Sequence, residues 1–306
     1  MSEAFDVIVI GAGPGGEVAA DRLHRGGKRV AMVERELIGG ECAYWACIPS
    51  KTLIRPTTAV AEAGHVAGVV TPLITWEQVA SYRDEMIRHL DDSRQVQGSA
   101  DQGITFIRRK ACLSDPGCVE VAGRTLQTPH VIVATGSDPR LPAIEGLKEV
   151  GYWTNRQATT LEQVPESIVI LGGSAQGIEL GQMLRRYGAE VTIVQHATHL
   201  LDREEPAVGD LLEEVLRGDG VDVRLGCEAR RVKRAPDGAR VVYLDDGTAV
   251  RGQELLVATG RTPRIEGLNL EAVGATVTRR GSLEHRRQHA AQMYVAIVST
   301  RYNLRM

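Results

Sequence analysis

The stretch Val7-Ile8-Val9-Ile10-Gly11-Ala12-Gly13-Pro14-Gly15-Gly16 decides the fold. Four β-branched residues in a row read as a strand buried on both faces, and the glycines that follow suit a tight turn into a helix. In such a turn Gly11 permits the bend, Gly13 lets the backbone approach a pyrophosphate, and Gly16 allows close packing of helix on strand, while the helix N-terminus attracts the anion. Helical periodicity continues to about Arg25, Gly26-Gly27 stops it, and Arg29 to Val33 reads as a second strand ending at Glu34. Glu34 stands where a carboxylate hydrogen-bonds a ribose, so the segment predicts a dinucleotide-binding βαβ unit.

The plan occurs twice. Ile168-Val169-Ile170-Leu171 leads into Gly172-Gly173-Ser174-Ala175-Gln176-Gly177, a helix to about Tyr187, a stop at Gly188 and a strand from Val191 to Val194. The residue 23 positions after the first glycine is Glu34 in one copy and Gln195 in the other. Val131-Ile132-Val133-Ala134-Thr135-Gly136 likewise recurs as Leu255-Leu256-Val257-Ala258-Thr259-Gly260. The reading is an α/β chain with two Rossmann-like domains, over 1–150 and 151–275, joined by a linker through Pro139, Pro142 and Gly146 to Gly151. Helical periodicity also marks Trp76 to Leu90, and short β-like runs at Ile104 to Arg108 and Val119 to Val121 suggest a small accessory layer. The second copy departs from the first at two points. Ser174 places a Cβ and a hydroxyl where the backbone must approach phosphate, which predicts weaker binding there. Gln195-His196 lacks the carboxylate that favours an unphosphorylated ribose, which tilts the reading slightly toward NADPH over NADH. His196, His199 and Arg203 suit a 2′-phosphate but also suit a solvated surface.

Composition excludes several classes. A chain of 306 residues with 43% hydrophobic and 25% charged residues is ordinary globular material. A net charge of -3 gives no general attraction to nucleic acid or acidic lipid. No apolar run approaches the ~20 residues that span a bilayer. The acidic start runs directly into a strand, so the expected location is cytoplasmic, with neither nucleic acid nor membrane as partner. Five cysteines are too few for a disulfide-stapled secreted fold. Cys112, Cys118 and Cys227 lack metal-ligand spacing and are expected to be small buried hydrophobes.

Cys42 and Cys47 differ, because of what surrounds them in Gly39-Gly40-Glu41-Cys42-Ala43-Tyr44-Trp45-Ala46-Cys47-Ile48-Pro49-Ser50-Lys51. A helix proper from about Pro49 toward Glu62 puts Cys47 at its N-terminus, where the positive dipole end favours a thiolate. The stretch resembles the pyridine nucleotide-disulfide oxidoreductases of the dihydrolipoamide dehydrogenase, glutathione reductase and mercuric reductase type, whose pattern is Gly-Gly-x-Cys-x4-Cys-Ile-Pro-Ser-Lys. The resemblance covers about residues 5 to 278. It implies an FAD-binding first domain, with Gly11, Gly13, Gly16 and Glu34 on the ADP half and Thr135 and Gly136 closing over the same cofactor. It implies an NAD(P)-binding second domain, with Gly172, Gly177, Gln195 and Gly260 on the nicotinamide nucleotide, NADP or NAD. It also implies a redox-active Cys42–Cys47 disulfide. Cys47 would face the flavin, Cys42 would meet a small-molecule or protein disulfide substrate, and Lys51 would lie near flavin N5, paired with Glu179. The implied flow is hydride from NAD(P)H to FAD and then an electron pair to the disulfide. The filler Ala43-Tyr44-Trp45-Ala46 reads as packing, with a platform narrowing access to Cys42 as the other role.

The resemblance fades toward the C-terminus. The family returns to its FAD domain with a strand ending in Gly-Asp, and the nearest stretch here, Met293 to Ser299, has no Gly-Asp. Residues 276–306 read as an incomplete return with a divergent tail. From 279 on there are six arginines against the single acid Glu284, and a frame change near Ser282 is the favoured explanation. The family's dimerisation domain, with its His-Glu acid-base pair, is expected to be absent, leaving the homodimer interface largely missing and turnover impaired. Two other readings stay open: an inactive nucleotide-binding remnant, and a short flavoprotein reductase acting on a quinone or metal ion. The second is disfavoured because low-molecular-weight thioredoxin reductases carry their cysteines in the nicotinamide domain.

Overall fold

The computed structural model describes residues 3–278 and 294–297. The chain forms two compact units: one from the residues up to Tyr44, Arg88–Asp138 and the described residues from Thr262 on, the other from Trp45–Ile87 and Pro139–Arg261. Both are thus discontinuous in sequence. The linear division at 150 and 275 assigns residues 45–87 to the first domain, whereas Leu53 and Val79 are buried in the core of the second unit.

In the first unit a parallel sheet runs in the order Tyr294–Ile297, His130–Val133, Val7–Ile10, Val30–Glu34, Thr105–Arg108. Its strands Val7–Ile10 and Val30–Glu34 are apolar and buried up to the closing Glu34 because both faces are covered. Ile8, Ile10, Ala31, Val33, Val131 and Val133 pack on Leu113, Val119, Val121 and Leu126 of an antiparallel layer. Val7, Val9, Val30 and Met32 meet Ala20 and Leu23 of the helix Pro14–Arg25 on the other face. Each fully buried aliphatic side chain contributes about 1.5–3 kcal/mol, so these two faces hold the unit. The antiparallel layer is the expected accessory layer, built from Ala111–Asp115, Cys118–Val121 and Arg124–Gln127, with the two-residue strand Glu3–Ala4 added in parallel beside Arg124–Gln127. Thr105–Arg108 does not belong to it but extends the parallel sheet beside Val30–Glu34. Tyr294–Ile297 lies within the apolar stretch 293–299 and pairs in parallel with His130–Val133. The proposed frame change near Ser282 and the arginine-rich tail lie outside the described residues.

The second unit repeats the scheme. Its parallel sheet runs Asp222–Leu225, Glu190–Gln195, Ser167–Leu171, Glu254–Val257. Val169, Leu171, Val194, Leu255 and Val257 face an antiparallel layer through Val232, Val242, Leu244 and Val250. Ile168, Ile170, Ile193 and Leu256 face helices through Leu180, Met183, Leu184, Leu216 and Leu53. Part of the expected linker is helical here, at Leu147–Val150, with Leu147 and Val150 buried in this core. The periodic stretch 76–90 is helical only over Trp76–Met86. Arg88, His89 and Leu90 all have φ between 50° and 60°, left-handed backbone that ends a right-handed helix.

Cys112, Cys118 and Cys227 are half-buried rather than buried. The reason for the first two is strand alternation: Leu113, Val119 and Val121 take the inward positions, which turns Cys112 and Cys118 to the other face. Among the described residues no helix is long and apolar enough to cross a membrane, and no group of His, Cys, Asp and Glu is arranged to hold a metal ion.

Tyr187 fastens the long helix Cys47–Gly64 onto the second unit. Its hydroxyl donates to Leu53 O at 2.6 Å, and its ring meets Trp76 edge-on with centroids 5.0 Å apart. Burial pushes the phenol up to about 12 from an ordinary 10.0. The fold therefore favours the neutral form, and the stabilisation is complete below pH 10 and lost as pH rises to about 12. Tyr187→Phe should cost about 1 kcal/mol at neutral pH in urea unfolding. The wild-type advantage should shrink through that alkaline window, and a gap independent of pH would contradict the assignment.

Candidate active site

The two phosphate turns are built by the same contacts. Gly11 N donates to Val33 O at 2.8 Å and Ala134 N to Ile10 O at 2.7 Å; Gly172 N donates to Val194 O at 2.8 Å and Ala258 N to Leu171 O at 2.8 Å. A Cβ on Gly16 would collide with Gly11 O, and one on Gly177 with Gly172 O, so the helix can sit this close to the strand only on glycine. Gly13, by contrast, has no atom within 4 Å of where its Cβ would be, and the open backbone there fits an approaching pyrophosphate at the start of the helix Pro14–Arg25.

Glu34 lies half-buried at the end of its strand. Oε2 accepts from Ala12 N at 2.8 Å and Oε1 from Glu36 N at 2.7 Å. Gln195 is the geometric counterpart, buried, with Oε1 accepting from Gly173 N at 3.0 Å. Ser174 caps the second helix: its Oγ accepts from Gly177 N at 3.4 Å and donates to Ala258 O at 2.8 Å. The hydroxyl expected to stand against a phosphate is thus turned back into the turn itself.

Each Ala-Thr-Gly turn is braced by an arginine-bearing segment that the sequence reading missed. Thr135 Oγ1 donates to Arg264 O at 2.5 Å, and Arg264 N donates to Gly136 O at 2.9 Å. Thr259 Oγ1 donates to Arg140 O at 2.8 Å, and Arg140 N donates to Gly260 O at 2.9 Å. The Arg264 guanidinium holds Asp138 and lies 3.7 Å from Glu41. No spacing rule links positions 125 residues or so apart, but the repeat of Ala-Thr-Gly itself hinted that both turns needed the same support.

The cysteine loop begins on the first turn. Gly39 N donates to Ala12 O at 2.7 Å, and a Cβ on Gly40 would stand 2.9 Å from Gly13 Cα. Cys42 follows in the short helix Gly40–Tyr44 and is half-buried. Tyr44 is buried, its hydroxyl accepting from Gln95 Nε2 at 3.1 Å, so this part of the filler packs, whereas Trp45 is only half-buried. Cys47 is exposed and is the first residue of the helix Cys47–Gly64, two positions earlier than the expected start. In the second unit Lys51 Nζ donates to Glu179 Oε2 at 2.5 Å. Their side chains are 60% and 45% exposed, so the ion pair is worth at most about 1 kcal/mol to stability.

The profile for "Pyridine nucleotide-disulphide oxidoreductase" matches residues 5–295. The chain belongs to this family. Among curated relatives it is 34% identical to a mercuric reductase of Streptomyces lividans over 295 residues, covering 91% of this chain and 61% of that protein. It is 32% identical to a dihydrolipoyl dehydrogenase of Chlorobaculum tepidum over 300 residues, with 91% and 62% covered. Among solved structures, the Cu(II) complex of the HOCl-induced flavoprotein disulfide reductase RclA from Escherichia coli superposes with a TM-score of 0.82 at 25% identity, covering 93% of this chain and 62% of that one. The chain therefore spans about three-fifths of the length of these relatives. Pyridine nucleotide-disulphide oxidoreductases use FAD and NAD(P)H, and the open backbone at Gly13 with the acceptor at Glu34 suits the first of these.

Gly13→Ala separates fold from cofactor. The free space at this position and its φ of -72° allow a methyl group, so urea stability of the cofactor-free chain should stay within about 0.5 kcal/mol. FAD affinity, read by fluorescence quenching, should fall, because the methyl occupies the approach to the backbone. Equal FAD affinity in the variant would contradict this placement of the pyrophosphate.

Proposed function

We propose that the chain carries out FAD-dependent NAD(P)H:disulfide oxidoreduction through a Cys42–Cys47 couple. The observation that supports it most is the seating of Gly39-Gly40 on the Ala12-Gly13 turn, which starts the cysteine loop at the mouth of the first nucleotide site. FAD, when bound, supplies the two-electron relay between a nicotinamide and the disulfide. The remaining work belongs to the protein. Gly11, Gly13, Gly16 and Glu34 bind its ADP half, and Thr135 and Gly136 close over it. Gly172, Gly177, Gln195 and Gly260 receive the nicotinamide nucleotide.

Reduction of the couple takes up two electrons and two protons and breaks the sulfur–sulfur bond to give two thiols. Cys47, at a helix N-terminus, is the one held toward the flavin, where the helix dipole favours a thiolate. Cys42 is the interchange thiol that passes reducing equivalents to the acceptor. Lys51 carries its charge one turn along the same helix, and Glu179 fixes where that charge stands. The acceptor class is a small-molecule or protein disulfide, or a soft metal ion such as the one named for the mercuric reductase relatives. The neutral Gln195 at the ribose position favours NADPH over NADH, and exposed thiol chemistry at Cys47 suits a reducing, cytoplasmic setting.

Anaerobic titration of the purified protein with NADPH or NADH tests the reading. A yellow preparation that bleaches and develops a long-wavelength absorption band is the expected result, and Cys47→Ser should lack the band. A band that persists in Cys47→Ser would refute the role given to that residue. A colourless protein that ignores added FAD would leave only a nucleotide-binding remnant.

A further inference from the structure

The segment just before Cys47 is held from outside its own helix. Trp45 O accepts from Asn155 Nδ2 at 2.8 Å, and Thr159 Oγ1 lies 3.1 Å from the same oxygen. The Thr159 hydroxyl has one proton and also lies 2.9 Å from Asn155 O, so the Asn155 amide is the donor committed to Trp45. Both side chains are buried, Asn155 at 4% exposure and Thr159 at 1%. They sit at the two ends of the short helix Asn155–Thr159, whose start is fixed by a capping box between Thr154 and Gln157. Arg156 of the same turn lays its guanidinium 3.9 Å from the centroid of the Trp45 ring.

The short helix is itself anchored. Arg83, 2% exposed, donates from Nη1 to Thr159 O at 2.9 Å and to Leu161 O at 3.2 Å. Arg261 Nη1 donates to Asn155 Oδ1 at 3.3 Å, which orients the amide with its NH2 toward Trp45. A chain of buried polar contacts thus runs from the helix Trp76–Met86 through 155–161 to the carbonyl two residues before Cys47. Ala46, between them, caps the helix by backbone alone, with no side-chain hydrogen bond. Ser50 N of the helix Cys47–Gly64 donates to Ala46 O at 3.0 Å, and Asn155 adds a hold one residue further upstream, at Trp45 O.

We propose that Asn155 is a positioning residue for the thiol pair: by holding Trp45 O it fixes the path of the chain from Cys42 into Cys47 and so favours closure of the bridge between them. The inference rests on reading Cys42 and Cys47 as a redox couple. Loosening the Trp45 carbonyl frees the intervening residues and adds to the entropy lost on closure, which shifts the couple toward the dithiol.

The test equilibrates the full chain with glutathione buffers, in which the protein disulfide and two glutathiones exchange with two protein thiols and one glutathione disulfide. Bridged and open forms are quantified by mass spectrometry, and the rate of iodoacetamide labelling at Cys47 is followed in the reduced protein. Asn155→Asp keeps the shape but sets a carboxylate oxygen against Trp45 O. It should lower the equilibrium constant for bridging by about 5-fold, the scale of one buried hydrogen bond, and change the labelling rate at Cys47. Thr159→Ser, which keeps its hydroxyl, should match the wild type. A folded Asn155→Asp with wild-type bridging and labelling overturns the proposal. Should that variant not fold, Asn155→Ser, too short to reach Trp45 O, is read in its place by the same criterion. If neither folds, Asn155 is a framework residue and the proposal fails. A wild-type chain that forms no bridge at any glutathione ratio sinks the functional reading instead, and unequal Cys47 labelling between wild type and Asn155→Asp would then still uphold the positioning.

Discussion

The constraint on which both units depend is the contact between a carbonyl and a helix that has no side chain in the way. Gly11 O lies where a Cβ of Gly16 would be, and Gly172 O where one of Gly177 would be. Overpacking by a single methyl group at such a place costs about 1–3 kcal/mol, and moving the helix away would open the phosphate turn as well. The sheet, the helix start and the Ala-Thr-Gly strand are all locked at that contact, since Ala134 and Ala258 hydrogen-bond to the strands that lead into it. The short helix that carries Cys42 is seated on the first of these turns through Gly39 and Gly40.

Much of this was legible in the sequence because the rules behind it are local. Strand, glycine turn and helix follow one another within about twenty residues, and their duplication provided an internal check. Cys47 at a helix start was legible for the same reason, from Pro49 and the glycines upstream. What escaped was the long-range support. Arg264 and Arg140 act mainly through backbone groups on turns far away in sequence, and backbone acceptors leave no signature in residue type. Asn155 and Thr159 follow a capping box that reads simply as a helix start, yet their side chains reach Trp45 O, more than a hundred positions away.

The assignment of residues to units shows the same division between local and distant effects. The helix Cys47–Gly64 follows the first βαβ unit in the chain, so sequence order alone groups it there. Its buried face decides otherwise: Leu53 packs with Leu180, Met183 and Leu184, and Tyr187 binds the Leu53 carbonyl. The two cysteines proposed as a redox couple, Cys42 and Cys47, consequently belong to different compact units. Half-burial of Cys112 and Cys118 has a similar origin. Their residue type suggests a core position, but the two-residue period of the strand had already given the inward places to Leu113, Val119 and Val121.

A duplicated nucleotide site carries a hazard of mistaken occupancy, since two pockets of common ancestry compete for similar adenine dinucleotides. Glu34 and Gln195 differ by one atom at the same geometric place: both oxygens of Glu34 accept backbone hydrogens, from Ala12 N and Glu36 N, and the single oxygen of Gln195 accepts from Gly173 N. What remains to face a ligand is opposite in kind: lone pairs and a negative charge on one, amide hydrogens and no charge on the other. If the two positions receive ribose as proposed, a phosphate on it is disfavoured at the first and tolerated at the second. Under the proposed function, one carboxylate-to-amide exchange would work as an address label, sorting two chemically similar visitors between sister sites whose turns are built by the same backbone contacts.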